Sequence, residues 1–278
     1  MLAALLLLAT APVLSLSEAQ LDSTIARTHE RPFPERIAEL SRLFVGVPYG
    51  EFPLGDGQRP PEPGPLFRTD AVDCQTYVET VLAMANARSL DQARAILDDI
   101  RYADGQPSFE TRNHFTEAQW LPVNSQKGYL VDEVPRLDRR APAETLELVR
   151  SEWSQVPALK RLAPANIPDG RYTVRYLPLD QVTARVKDIV PGSILMVVRE
   201  PDPSRVVRIT HMGFLLKDKR GWVVRHASTG KEHAVVDEPL AEFVERQREY
   251  KKWKVVGFAL AQPKDASRRV SRIKTAAR

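Results

Sequence analysis

Asp73-Cys74-Gln75-Thr76-Tyr77-Val78-Glu79 holds the only cysteine of a 278-residue chain, at a point where a helix should begin. From Cys74 onward Val78, Val81, Leu82 and Ala85 recur at the spacing of one face of a helix with about 3.6 residues per turn. Asp73 stands in the N-cap position just ahead of that pattern. A thiol in the first turn feels the positive end of the helix dipole and unpaired main-chain N–H groups, which favours its thiolate and suits a nucleophile. The same stretch serves equally well for a buried structural cysteine, a small apolar side chain on a core-facing stripe. Nothing inside it separates the two.

Working outward, the apolar run Leu2 to Leu16 with Ser17-Glu18-Ala19 before Gln20 reads as a secretory signal peptide over residues 1–19, although no Lys or Arg precedes the run. The run is shorter than the roughly 20 apolar residues of a spanning helix, so no stable membrane anchor is expected after its removal. The expected location is periplasmic or secreted. A lone cysteine in an exported chain has no internal disulfide partner, which moves Cys74 towards a functional role. Hydrophobic residues at 43% provide for one globular domain, expected over 20–262. Forty basic against 36 acidic residues give a net charge of +4, part of it in the basic 263–278 tail, expected to be disordered. A basic exterior suits anionic wall polymers. Aromatics are not interleaved with the basic residues, so no nucleic-acid partner is expected.

Pro34 to Phe44 has helical spacing and stops at Gly46-Val47-Pro48, and Gly50 to Arg68, rich in Gly and Pro, reads as a surface loop. Ser89 with Gln92 forms a capping-box pattern ahead of the face Leu90, Ile96, Leu97 and Ile100. Arg112, Asn113 and His114 lie in a polar, aromatic segment that reads as a loop able to contact a polar ligand. Residues 133–170 read as a helical insertion, with helix-like material from Ala143 to Trp153. Strands follow: Ser193 to Val198, Ile209 to Leu216, Trp222 to Ala227 and Lys254 to Leu260, with a helix around Leu240, Phe243 and Val244. The turn Lys219-Arg220-Gly221 folds two of them into an antiparallel hairpin, making His211 and His226 neighbours.

One helix-start cysteine and two paired histidines would fill the roles of nucleophile, base and orienting group. A zinc site of Cys74, His211 and His226 with His114 or His233 is the alternative, weakened because no ligand pair has close sequence spacing.

Taken in order, Gly46-Val47-Pro48-Tyr49, Asp73-Cys74, Pro191-Gly192-Ser193, His211-Met212-Gly213-Phe214 and Arg225-His226-Ala227-Ser228 resemble the motifs of the NlpC-type papain-like cysteine peptidases. The run from Asp73 to Thr80 and the segment from Arg112 to Trp120 look most like the N-acetylmuramoyl-L-alanine amidase-like branch. This resemblance spans roughly residues 35–262. It implies a bacterial cell-wall hydrolase of α+β papain-like fold, its nucleophile helix packed on an antiparallel sheet, acting on peptidoglycan or muropeptides without a metal or cofactor. By position Cys74 matches the nucleophile, His211 the base and His226 the orienting residue. Tyr49 and Asp73 match residues that line the site and hold substrate. Gln75-Thr76 stands where the superfamily often has Ser-Gly, and Gly50-Glu51 where it usually has Gly-Gly. The implied reaction cleaves the amide between N-acetylmuramic acid, or its anhydro form, and L-alanine. A D-glutamyl-diamino-acid endopeptidase and a non-catalytic wall-binding module are the alternatives.

Overall fold

A bundle of helices on one side of a twisted antiparallel sheet positions Cys74. The computed structural model describes residues 12–51, 53–54, 66–153, 162–202 and 204–273. Helices α1 (Glu18–His29), α2 (Phe33–Arg42), α3 (Cys74–Asn86) and α4 (Leu90–Arg101) come first, followed by α5 (Leu121–Lys127), strand β1 (Leu130–Asp132) and α6 (Val134–Leu137). Next come β2 (Ala143–Leu148), α7 (Arg150–Trp153), β3 (Gly170–Arg175), β4 (Leu177–Pro178) and α8 (Leu179–Arg185). The chain then runs through β5 (Ser193–Arg199), β6 (Ile209–Asp218), β7 (Gly221–Ala227), β8 (Val235–Pro239), α9 (Leu240–Glu249), β9 (Val255–Pro263) and α10 (Ser267–Val270). The main sheet has the order β1-β9-β5-β6-β7-β8, with β4 also against β9, and β2 and β3 form a separate pair. Every pairing between these strands is antiparallel, so the fold is mixed α+β.

Both faces of the sheet are covered, which is why β5 is buried along its whole length. On one face Met212, Phe214 and Leu216 of β6 pack with Tyr77, Val78 and Val81 of α3 in the larger core. On the other, Leu215, Val224 and Phe258 pack with Leu240, Phe243 and Val244 of α9. The two-residue period of a strand sorts β6 between these cores. The sequence pattern gives α3 one apolar face, yet every residue from Thr76 to Asn86 is buried, because α1, α2 and α4 cover the sides the sheet leaves open. Its larger polar side chains find partners inside the fold, though the buried Thr80 hydroxyl has none. Glu79 bonds Arg101 at 2.7 Å, and Asn86 accepts from the Ala266 N–H at 2.8 Å.

The local structure departs from the sequence pattern in several places. Ala143 to Leu148 is a strand, because Ala-Glu-Thr-Leu-Glu-Leu alternates and Leu146 and Leu148 share one buried side with Phe115 and Ala118. Among the described residues of 133–170 the helical pieces are the short turns α6, α7 and Pro164–Asn166, while Ala143–Leu148 is strand β2, paired with β3, which starts at Gly170. The expected loop after Arg112 contains a π-helical turn, Thr116–Trp120, running directly into α5. The tail is folded as far as Ile273: Val270 is buried, and Arg269 grips Asp99 with Nε at 3.0 Å and Nη2 at 2.5 Å. Ser89 caps α4, but the Gln92 side chain accepts from the Arg88 N–H rather than closing the box on Ser89. The boundary at Ala19 falls inside α1, whose capping box is Ser17 with Gln20, and Val13 ahead of it is buried and bonds the Leu43 carbonyl at 2.7 Å. Of the expected loop Gly50 to Arg68, residues 52 and 55–65 lie outside the described residues.

Candidate active site

Asp73 caps α3 reciprocally: its Oδ1 accepts from the Thr76 N–H at 2.7 Å, and Thr76 Oγ1 accepts from the Asp73 N–H at 2.9 Å. The box leaves the N–H groups of Cys74 and Gln75 to turn towards the thiol. The main chain of Met212 on β6 joins them, so the helix start and a strand both act on Cys74 Sγ to favour its charged form. The expectation of a favoured thiolate is overturned nonetheless. Burial, and secondarily the charge of Asp73, push the thiol up to about 12 against the pull of those N–H groups. Desolvation of a charged sulfur outweighs the helix start, and Cys74 rests as a thiol.

Beyond Phe214↔Arg225 the register of the β6–β7 hairpin is no longer paired, and at this splayed end stand His211 and His226. The two residues are neighbours as the hairpin requires, with His211 Nε2 and His226 Nδ1 2.8 Å apart and the rings perpendicular. Both lie on the α9 side against Phe243. His226 Nε2 is 3.0 Å from Glu238 Oε2, and Arg246 of α9 clamps the same carboxylate through Nε at 2.9 Å and Nη2 at 2.6 Å. Burial works to raise the Glu238 pKa, but the bonds from Arg246 and His226 overcome it and hold the group at about 2.

This chain of bonds fixes protons. An ionised Glu238 only accepts, so His226 donates from Nε2 and, when neutral, accepts at Nδ1. In that state His211 donates from Nε2 and its Nδ1 carries a lone pair. Burial, followed by the charges of His226 and Arg246, drives the His211 pKa well below the usual imidazole value, so it is neutral at pH 7. His211 lies one residue along β6 from Met212, whose main chain faces the thiol. Gly213 permits the arrangement: a Cβ there would stand 2.7 Å from His226 Cβ and 2.8 Å from the Arg225 carbonyl oxygen.

Tyr49 lies beside the thiol and Asp73; burial, then the charges of Cys74, Asp73 and Glu51, raise its phenol to about 12, so it can donate a hydrogen bond. Arg112, Asn113 and His114 border a cavity of about 150 Å³ with Asp73, Gln75 and Glu79, next to the helix start. They are also committed to packing. Arg112 lies over the Phe109 ring and bonds the Leu54 carbonyl, Asn113 Nδ2 donates to the Ile100 carbonyl at 3.2 Å, and His114 Nε2 meets the Phe109 carbonyl at 2.7 Å. Burial lowers His114 to about 4 and keeps it neutral. His233 lies tilted against Tyr49 with ring centroids 5.2 Å apart, and among the described residues no three His, Cys, Asp or Glu side chains are arranged to hold a metal.

Glu238 and Arg246 were not singled out from the sequence. Glu238 sits on the same side of β8 as Val236, the partner of His226, but its signal is one acid in Val-Val-Asp-Glu-Pro, and Asp237 beside it pairs instead with Arg225 at 2.6 Å on the opposite face.

A family model described as N-acetylmuramoyl-L-alanine amidase-like matches residues 39–250. A crystal structure of a Legionella pneumophila protein superposes with a TM-score of 0.74 at 24% identity, covering 88% of this chain and 95% of that one. A crystal structure of an N-acetylmuramoyl-L-alanine amidase from Bacteroides uniformis gives 0.66 at 23% identity, covering 84% and 99%. At these identities the likeness is one of fold. No curated protein matches the sequence.

Proposed function

The chain belongs to the N-acetylmuramoyl-L-alanine amidase-like family of cell-wall hydrolases, and from that membership we propose that it cleaves the amide joining the muramyl lactyl group to L-alanine, with Cys74 as nucleophile in a papain-like, NlpC-type site. The relay from Glu238 through His226 to His211 is the observation that carries this reading, since it leaves a lone pair on Nδ1 of His211, one residue along β6 from Met212, whose main chain faces the thiol.

Cys74 Sγ attacks the lactyl carbonyl carbon as His211 Nδ1 takes the thiol proton. Negative charge develops on the carbonyl oxygen, and the main-chain N–H of Cys74 donates to it. Collapse breaks the C–N bond, and the L-alanine nitrogen leaves with the proton from His211, giving a thioester. Water then adds to the thioester, His211 accepting its proton and returning it to the departing sulfur. Because the thiol starts neutral, proton transfer accompanies attack rather than preceding it. As written, the steps use no metal or cofactor.

The exported location rests on the apolar run Leu2 to Leu16. A mature chain beginning upstream of Val13 would keep the α1 cap intact, whereas one beginning at Gln20 would lose it. The decisive experiment is mass spectrometry of soluble muropeptides after incubation with wild type and with Cys74→Ala. Wild-type-only release of stem peptides beginning with L-alanine is expected. Equal release by the Cys74→Ala variant would sink the nucleophile, cleavage within the stem would move the reaction to the glutamyl-diamino-acid bond, and no product would favour a wall-binding module.

A further inference from the structure

The β2–β3 hairpin takes no part in the chemistry above, and beneath it lies a second, larger cavity, of about 300 Å³. Its floor is Met196, Ala259 and Ala261 on the α3 face of the sheet, its inner end is Glu117 of the π-helical turn, and its roof is β3. We infer that this cleft holds the stem peptide of the substrate, laid extended along the free edge of β3 with Glu117 receiving one of its N–H groups; the inference rests on the amidase reading and adds the peptide-binding site to it.

Position is the first argument. Met196 stands directly opposite Met212 in the β5–β6 register, and the main chain of Met212 faces the Cys74 thiol. The cleft thus begins one strand away from the reacting sulfur. It lies in a different place from the smaller cavity bordered by Asp73 and Arg112, so the two cavities leave separate room for the two parts joined by the scissile amide.

Shape is the second. All five consecutive residues Arg171 to Arg175 line the cleft. Successive side chains of a strand point to opposite faces, so five in a row can border one cavity only when the main-chain edge turns towards it. One edge of β3 is paired with β2, and among the described residues no strand pairs with the other. An open edge inside a cleft accepts an extended chain by main-chain hydrogen bonds. The small Ala259 and Ala261 side chains opposite leave it width.

Chemistry is the third. Glu117 is 5% exposed; one carboxylate oxygen accepts from the Arg208 N–H and the Ile209 main chain also favours the carboxylate, while Oε2 makes no hydrogen bond of its own. A buried acceptor left open is costly unless something fills it. A stem peptide brings amide and ammonium donors for that oxygen, and carboxylates for Arg171 and Arg175 on β3. The turn carrying Glu117 is fixed to the hairpin by Phe115, Ala118, Leu146 and Leu148, so acid and strand edge form one rigid unit.

The test uses the full chain and two variants, Glu117→Gln and the double replacement Arg171→Ser with Arg175→Ser, whose melting curves check folding. Steady-state rates are compared on muramyl dipeptide and muramyl tetrapeptide, and binding of free stem tetrapeptide is followed by titration calorimetry. Wild type is expected to favour the longer stem by about tenfold or more in kcat/KM, chiefly through KM, and both variants to shrink that ratio to within about threefold of one. The free tetrapeptide should bind wild type and lose about tenfold in affinity to the variants. A wild-type ratio near one, or a ratio both variants preserve, overturns the inference. So does a preference set instead by the saccharide and erased by the same variants, which would make the occupant glycan. If wild type hydrolyses neither substrate, the amidase reading fails separately, and the calorimetric result still decides whether the cleft binds stem peptide.

Discussion

Resting Cys74 should be a slow thiol, and the structure sets how slow. Its pKa is pushed up to about 12, against about 8.5 for a free cysteine. At pH 7 the thiolate fraction is then roughly 10⁻⁵ rather than about 3%, a deficit of about 10^3.5. A more basic thiolate is more nucleophilic, and a Brønsted slope of about 0.4–0.5 returns roughly 10^1.5 of that loss. Iodoacetamide should therefore alkylate native Cys74 about 100-fold more slowly than the same cysteine in urea-unfolded chain. Mass spectrometry of the modified protein against time, from about pH 6 to pH 10, reads the rate directly, the chain having no other cysteine. The native rate should climb about tenfold per pH unit with no plateau below pH 9. A native rate equal to or above the unfolded one at pH 7, or a plateau between pH 6 and 8, would mean a preformed thiolate–imidazolium pair and would refute the concerted proton transfer.

Gly213→Ala places a Cβ 2.7 Å from that of His226, so it should cost about 1–3 kcal/mol in a thermal melt and lower turnover further than the lost folded fraction explains. Glu238→Gln removes the charge that fixes the His226 tautomer; muropeptide turnover should fall about 10²-fold or more with the fold retained. Because the Glu238 carboxyl is held at about 2, below its unfolded value, its stabilising contribution is complete above about pH 4.5 and lost as pH falls towards 2; urea unfolding in that window should show a flatter pH dependence in Glu238→Gln. Glu79→Ala strands the buried Arg101 guanidinium and should cost about 3–5 kcal/mol by urea unfolding, while Glu18→Ala, at an exposed surface pair, should cost under about 1 kcal/mol.

The sequence by itself determined the parts of this protein governed by local periodicity. Apolar spacing marked α3, α2 and α9, Asp73 ahead of Cys74 marked the cap, and Lys219-Arg220-Gly221 closed the hairpin that set His211 beside His226. These depend on residues a few positions apart, whose geometry follows from the helix or strand repeat alone. Ala143 to Leu148 escaped that reading because an alternation only six residues long sits beside the helical turn α7, and the partners that bury its leucines, Phe115 and Ala118, lie some 30 residues upstream. Tertiary structure alone decided the electrostatics of the site. A helix start argues for a thiolate, but the sheet and helices packed around the partly buried Cys74 reverse the sign, since desolvation depends on everything packed around a group and not on its own element. The same holds for Glu238 and Arg246, which join the relay only because β8 and α9 fold back onto the histidine face, and for the open edge of β3, which becomes a cleft wall only where the sheet closes beneath it.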